Sequence, residues 1–248
     1  MCLMMAILPA IGQTFIPDDK NPLDFKLRVK QISEFMERFN RNEIPEILDK
    51  DDSLVNHKAL AMLFNLDLIE KRPNEVIDFV TELIDDEAYL SFCDTTWKAV
   101  ARCNAKYKGK DTEITLELKT EKVEEYIYKW VITDAKGEVL NLTPKKTNPG
   151  LRISPVDNEI NFMSLNHITT NEAQNILNYK KKDSPINTLS VFFALVNAKD
   201  LSIENVQELV YEFEGEKYEF TVKYFRRDSY SSGWLISDFK QKQTLVEK

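Results

Sequence analysis

From Trp97 onward the apolar residues of this chain recur at every second position, whereas upstream they recur every third or fourth. No other feature restricts the fold as much. A period of 2 buries one face of a strand, a period of 3.6 buries one stripe of a helix, and neither pattern works in the other conformation. Upstream, Asn21-Pro22 supplies an N-cap with proline at the first helical position, and Val29, Ile32, Phe35, Met36 and Phe39 predict an amphipathic helix ending near residue 40. A second helix is expected from Asp52 or Ser53, with Leu60, Leu63, Phe64, Leu66 and Leu68 on its apolar side, until Pro73 interrupts it. A third carries Val76, Phe79, Val80, Leu83 and Ile84.

After the change of period, Ala99, Ala101, Cys103, Ala105 and Tyr107 fall on one face of a strand, with Arg102, Asn104 and Lys106 on the other. The small residues let a helix approach that face closely. Lys108-Gly109-Lys110 supplies a turn. Ile114, Leu116 and Leu118 then alternate with Thr115, Glu117 and Lys119, and Tyr126, Tyr128, Trp130 and Ile132 share a face further on. Three antiparallel strands in a meander are predicted. Residues 141–158, with Pro144, Pro149, Gly150 and Pro155, read as a connection. A short strand at Ile160 and Phe162 and helices at 170–179 and 187–199 are expected next. Alternation returns at Leu209, Tyr211 and Phe213, passes a turn at Glu214-Gly215-Glu216, and continues through Tyr218, Phe220, Val222 and Tyr224 to Trp234 and Ile236.

Trp130-Val131-Ile132-Thr133-Asp134 parallels Trp234-Leu235-Ile236-Ser237-Asp238 at an offset of 104 residues, and turn glycines Gly109 and Gly215 are 106 apart. This predicts an α+β fold in which amphipathic helices pack on a curved antiparallel sheet and a helix-then-meander unit is used twice. The competing explanation is that hairpins with glycine turns and aromatic strands resemble one another. Residues 17–145 form the first half on this reading and 150–248 the second, with a single shared sheet left open.

Hydrophobic residues make up 43% of the 248, enough to offset chain entropy and exclude wholesale disorder. Six glycines, against about 17 at average usage, argue against glycine-rich phosphate loops. No cofactor is therefore expected. A net charge of −8, with no block of Lys and Arg, makes a nucleic-acid partner unexpected. Residues 1–12 carry no charge and read as a signal peptide, with Ala10 and Gly12 at the −3 and −1 places and Gln13 as the new N-terminus, although a basic leading segment is missing. A buried N-terminal strand or helix is the competing reading. Nothing else approaches the roughly 20 apolar residues of a membrane span, so the mature chain is expected to be soluble in the periplasm or cell envelope. Export would permit, without requiring, a Cys93–Cys103 disulfide.

Helices preceding aromatic-rich antiparallel strands that close on a Trp-x-Ile-x-Asp strand resemble the NTF2-like superfamily, over residues 22–140 and 187–240 at most. The resemblance implies helices covering a curved sheet, and functions ranging from ketosteroid-isomerase-like enzymes to ligand-binding and assembling domains. The stretches Asn158–Leu165 and Ser232–Ser237 also resemble uncharacterised exported proteins of gut anaerobes, a family that implies no activity.

Asp134 and Asp238 stand two residues beyond an isoleucine and four beyond a tryptophan, so strict alternation puts each on the same strand face as both. In an apolar mouth such a carboxylate would serve as a general base; at a strand end it would cap a turn. Tyr107, Tyr128, Trp130 and Trp234 are candidates to line a ligand site, as against core aromatics. His57 and His167 lie far apart with no partner at ligand spacing, and Asp49–Asp52 lacks the glycine and glutamate of an EF-hand loop, so no metal site is expected. Ser229–Gly233 contains no nucleophile elbow, and Lys145-Lys146 and Lys180–Lys182 read as solvated loops. The leading reading is an exported, non-catalytic protein that binds a small ligand or protein partner. The alternatives are an isomerase or dehydratase with Asp134 or Asp238 as base and a tyrosine as oxyanion donor, and a structural subunit of an envelope assembly.

Overall fold

The apolar stripes upstream of Trp97 form helices, the first shorter than its spacing predicts, the second broken in two and the third as expected. The computed structural model describes residues 26–125, 127–142, 186–215, 217–227 and 231–242. Helix α1 (Ile32–Phe39) buries Phe35, Met36 and Phe39. Residues 28–30 ahead of it are not helical, because the backbone of Val29 pairs with Gly233. Arg38 is also buried, its guanidinium donating to Leu27 O at 2.7 Å, Lys26 O at 3.2 Å and Glu34 at 2.6 Å, which closes the start of the helix onto the preceding chain.

The expected second helix is two, α2 (Val55–Ala61) and α3 (Leu66–Lys71). Between them the backbone serves a strand instead: Ile236 N donates to Leu63 O at 2.8 Å and Asn65 N to Ile236 O at 2.9 Å. Helix α4 (Pro73–Asp85) starts on Pro73, whose missing N–H costs nothing in a first turn.

The strands are β1 (Trp97–Tyr107), β2 (Lys110–Glu124), β3 (Ile127–Lys136), β4 (Leu201–Glu214), β5 (Tyr218–Phe225) and β6 (Gly233–Gln241). A short 3-10 turn (Glu138–Leu140) follows β3, and helix α5 (Thr188–Asn197) precedes β4. Six strands form one antiparallel sheet in the order β3-β2-β1-β4-β5-β6, so each expected meander exists and β1 lies beside β4. The β1–β2 turn uses Lys108 (φ 50°) and Gly109 (φ 78°), the positive φ values a two-residue hairpin requires. The strand expected at Ile160 and Phe162 and the helix expected at 170–179 lie outside the described residues. No described helix is long and apolar enough to cross a membrane. Cys93 is an exposed free thiol and Cys103 a buried one, so they are not joined in a disulfide.

The described residues cluster into two units. One holds the chain up to Ala101, Glu117–Ile132 and the chain from Glu208. Its core joins Phe35, Phe39, Leu60, Phe64, Phe79 and Leu83 of the helical segments to Trp97, Phe213, Phe220, Val222, Ile236 and Phe239 of the strands. Phe79 lies 4.4 Å from Phe239 and Phe39 5.4 Å from Phe220, both stacked. The other unit holds, of the described residues, Arg102–Leu116, 133–142 and 186–207. Its buried residues include Cys103, Ala105, Ile114, Leu116, Ala135, Leu140, Phe192 and Leu201.

Strand β6 departs from a plain edge strand in two ways. Its outer edge is taken up by backbone from Val29 and residues 63–65, which blunts an otherwise unpaired strand. Its pairing with β5 also slips by one residue: Val222 opposes Ile236 but Thr221 opposes Asp238, leaving Ser237 as a bulge whose hydroxyl donates to Thr221 O at 3.2 Å. Strict alternation therefore fails here. Asp238 lies on the face opposite Ile236, and Phe239 takes the inward place opposite Phe220.

Candidate functional site

Aromatic residues at alternate positions of neighbouring strands meet on the face that packs against the helices. Trp97 of β1 is central and 2% exposed. Its ring stacks on Phe213 at 5.3 Å and meets Trp130 of β3 edge-on at 4.7 Å and Tyr211 of β4 at 5.6 Å. Tyr211 lies 5.0 Å from Trp234 of β6, which lies 5.4 Å from Tyr224 of β5. These five rings form a row within the first unit, buried in the middle and open at both ends, where Trp130 is 41% and Tyr224 52% exposed. Burial pushes the Tyr211 phenol above its ordinary pKa. The indole Nε1 of Trp97 is buried without a hydrogen-bond partner, an uncommon state for a tryptophan inside a protein.

The opposite sheet face in this unit is charged. A groove of about 350 Å³ there is lined by Lys98, Lys119, Glu212, Glu219, Asp238 and Lys240 among others. Lys98 sits between Glu212 at 3.1 Å and Glu117 at 3.2 Å. Burial works against its charge, but hydrogen bonds to both carboxylates outweigh that and raise its pKa. Ligand pockets of this size are mostly apolar, and here a polar ligand would compete with existing ion pairs.

Of the residues singled out by the sequence, Trp130 and Trp234 come together in the row through Trp97 and Tyr211. Tyr128 is half-buried two residues from Trp130. Tyr107 belongs to the second unit, where the Lys108 ammonium lies 5.4 Å over its ring. The row members Trp97, Tyr211 and Tyr224 were not legible as site residues, because period-2 aromatics mark a strand face and not which strands adjoin.

Asp238 is not in an apolar mouth. Its side chain is 59% exposed and pairs with Arg72 at 3.1 Å, while also accepting from Phe239 N at 2.9 Å. Asp134 is 40% exposed, pairs with Lys136 at 3.2 Å and caps Ala135 N at 2.8 Å. Asp52 accepts from Leu54 N ahead of α2 and pairs with Lys58, and these bonds hold its carboxyl below the usual range. His57 is half-buried, and His167, both lysine runs, Ser229 and Tyr230 lie outside the described residues. Among the described residues no group of three or more His, Cys, Asp or Glu could hold a metal ion. No family model, curated protein or solved structure matches this chain.

Proposed function

We propose that the protein is an exported, non-catalytic binding protein of NTF2-like architecture whose aromatic row takes up a flat or ring-bearing small ligand. The row itself carries this reading. Rings in edge-on or offset contact contribute about 0.5–1.5 kcal/mol each beyond their buried area, and the same face chemistry is available to a ligand ring at Trp130 or Tyr224. A purely structural cluster gains nothing from leaving a tryptophan and a tyrosine open to water at its two ends. The isomerase-type alternative needs a carboxylate enclosed by apolar groups, a condition that the exposure and ion pairs of Asp134 and Asp238 do not favour.

Two finer features belong to the same proposal. A helix-then-meander unit used twice is supported by Trp130 and Trp234 standing on the third strand of each meander. Export is supported by the uncharged residues 1–12. The envelope-subunit reading draws on Phe193, Val196, Ile203 and Val206, large apolar side chains exposed in the second unit.

Titration with N-phenyl-1-naphthylamine, a neutral planar probe, tests the row. Binding should quench tryptophan emission saturably, and Trp130→Ala should weaken it by about fivefold to tenfold. Unsaturable quenching, or equal binding by the variant, removes the reading. Mass spectrometry of the chain from its native host tests export: a first residue of Gln13 is expected, and an intact Met1 counts against it.

A further inference from the structure

We propose that the charged groove on the outward sheet face of the first unit is a second binding site, for a neutral, hydroxyl-rich ligand of the saccharide class.

Its walls follow from the aromatic residues on the other face. Phe213 opposes Phe220 and Phe220 opposes Phe239, all three buried, so alternation turns their neighbours outward. Glu212 then stands opposite Thr221 and Thr221 opposite Asp238, while Glu214 stands opposite Glu219 and Glu219 opposite Lys240. The extra residue at Ser237 is absorbed as a bulge before Asp238, so Asp238 and Lys240 face outward in register with β5. Thr96 and Lys98, on either side of the buried Trp97, line the same groove, as does Lys119 of β2. The groove offers about 350 Å³, within the roughly 300–1,000 Å³ of small-molecule sites.

Three lysines and four carboxylates line it, so it is close to electrically balanced. An anion drawn to one of its lysines meets the carboxylates, and a cation drawn to a carboxylate meets the lysines. An apolar ligand would strip water from charged groups without replacing their hydrogen bonds. A neutral polar ligand avoids both costs.

The hydrogen-bonding capacity of the lining narrows the class further. Each carboxylate already has a cation: Lys98 lies 3.1 Å from Glu212, Lys242 lies 2.6 Å from Glu214 and 3.6 Å from Glu219, and Arg72 lies 3.1 Å from Asp238. An ion-paired carboxylate keeps lone pairs free, so it accepts from a hydroxyl without giving up its cation. The ammonium groups of Lys119 and Lys240 and the hydroxyls of Thr96 and Thr221 have no side-chain partner among the described residues and are free to donate. Acceptors are thus interleaved with donors, and the ligand must answer both within a short span. A hydroxyl does so alone, and several hydroxyls on one compact frame are a sugar. The site lies on the face opposite the aromatic row and does not rest on the reading given to that row.

The test uses the full chain at constant ionic strength, with glucose and galactose as neutral probes and glucuronate and glucosamine as anionic and cationic relatives of the same ring. A neutral sugar should shift the backbone amide NMR signals of residues 212–214, 219–221 and 238–240 saturably, and should bind more tightly than either charged relative. Thr221→Val and Lys240→Ala should each weaken that binding by about twofold to tenfold, the loss of one hydrogen bond, with N-phenyl-1-naphthylamine binding unchanged. If Thr221→Val does not fold, Lys240→Ala alone decides. The site is refuted if neither neutral sugar gives a saturable shift at these amides, if glucuronate or glucosamine binds more tightly than the neutral ring, or if the variants bind as the native chain does. Loss of naphthylamine binding with the sugar response intact would instead remove the row and leave the groove standing.

Discussion

Gly233 has a φ of +99°, and a Cβ there would lie 1.9 Å from Val29 O. Glycine is therefore demanded twice, by its backbone conformation and by the backbone that passes over it. Gly233→Ala should lower stability by about 3 kcal/mol, read as a lower urea midpoint, because a backbone contact cannot yield as a side-chain tip can. A loss below about 0.5 kcal/mol would mean that Val29 does not hold this position. Tyr211 and Tyr218 make a second prediction. Burial raises both phenols above their ordinary value of 10.0, and for Tyr218 nearby Asp86 and Asp94 add to it. A raised folded pKa keeps the proton in the folded state while the unfolded chain loses it. Stability should thus be unaffected below pH 10 and should fall as the pH rises from the unfolded to the folded value. Chemical denaturation across that window, with phenolate absorbance followed in parallel, checks the sign.

Among the described helices, α5 carries an N-cap side-chain hydrogen bond: Asn187 Oδ1 accepts from Ser190 N at 3.2 Å. Asn187→Ala should cost about 1 kcal/mol in denaturant unfolding, whereas Ser at the same place should cost much less. The helices also show how far apolar spacing reaches. Phe35, Met36 and Phe39, and Val76, Phe79, Val80 and Leu83, are buried as their periodicity predicts. The break between α2 and α3 could not be read, because Leu63 and Phe64 keep helical spacing while their backbone is drawn to β6. A hydrophobic pattern records which side chains turn inward, and says nothing of where a main-chain carbonyl finds its donor. The same limit hid the backbone contact between Val29 and Ser232, which meet across more than two hundred residues.

At the scale of the whole molecule, the order β3-β2-β1-β4-β5-β6 makes β1 and β4 neighbours although they are distant in sequence. Lys106 pairs with Glu204 at 3.1 Å over a separation of 98 residues, and Gln207 with Asn104 over 103. Closing loops of that length precedes any gain from the pairing, so refolding should take on the order of milliseconds to seconds. Stopped-flow tryptophan fluorescence measures this, and a microsecond phase carrying the full amplitude would contradict it. Both meanders were legible from alternation and turn chemistry, whereas their joining through β1 and β4 was not, since no local pattern names a strand's distant neighbour. The face of Asp238 was misread for a related reason: the extra residue at Ser237 is invisible to counting by twos. That single residue acts as a parity switch for the end of the chain. An in-frame loss of its codon would leave Ile236, Asp238 and Phe239 consecutive and opposite Val222, Thr221 and Phe220, with the Phe239 ring still inward and the Asp238 carboxylate still outward, so the deletion should straighten the strand while sparing the core.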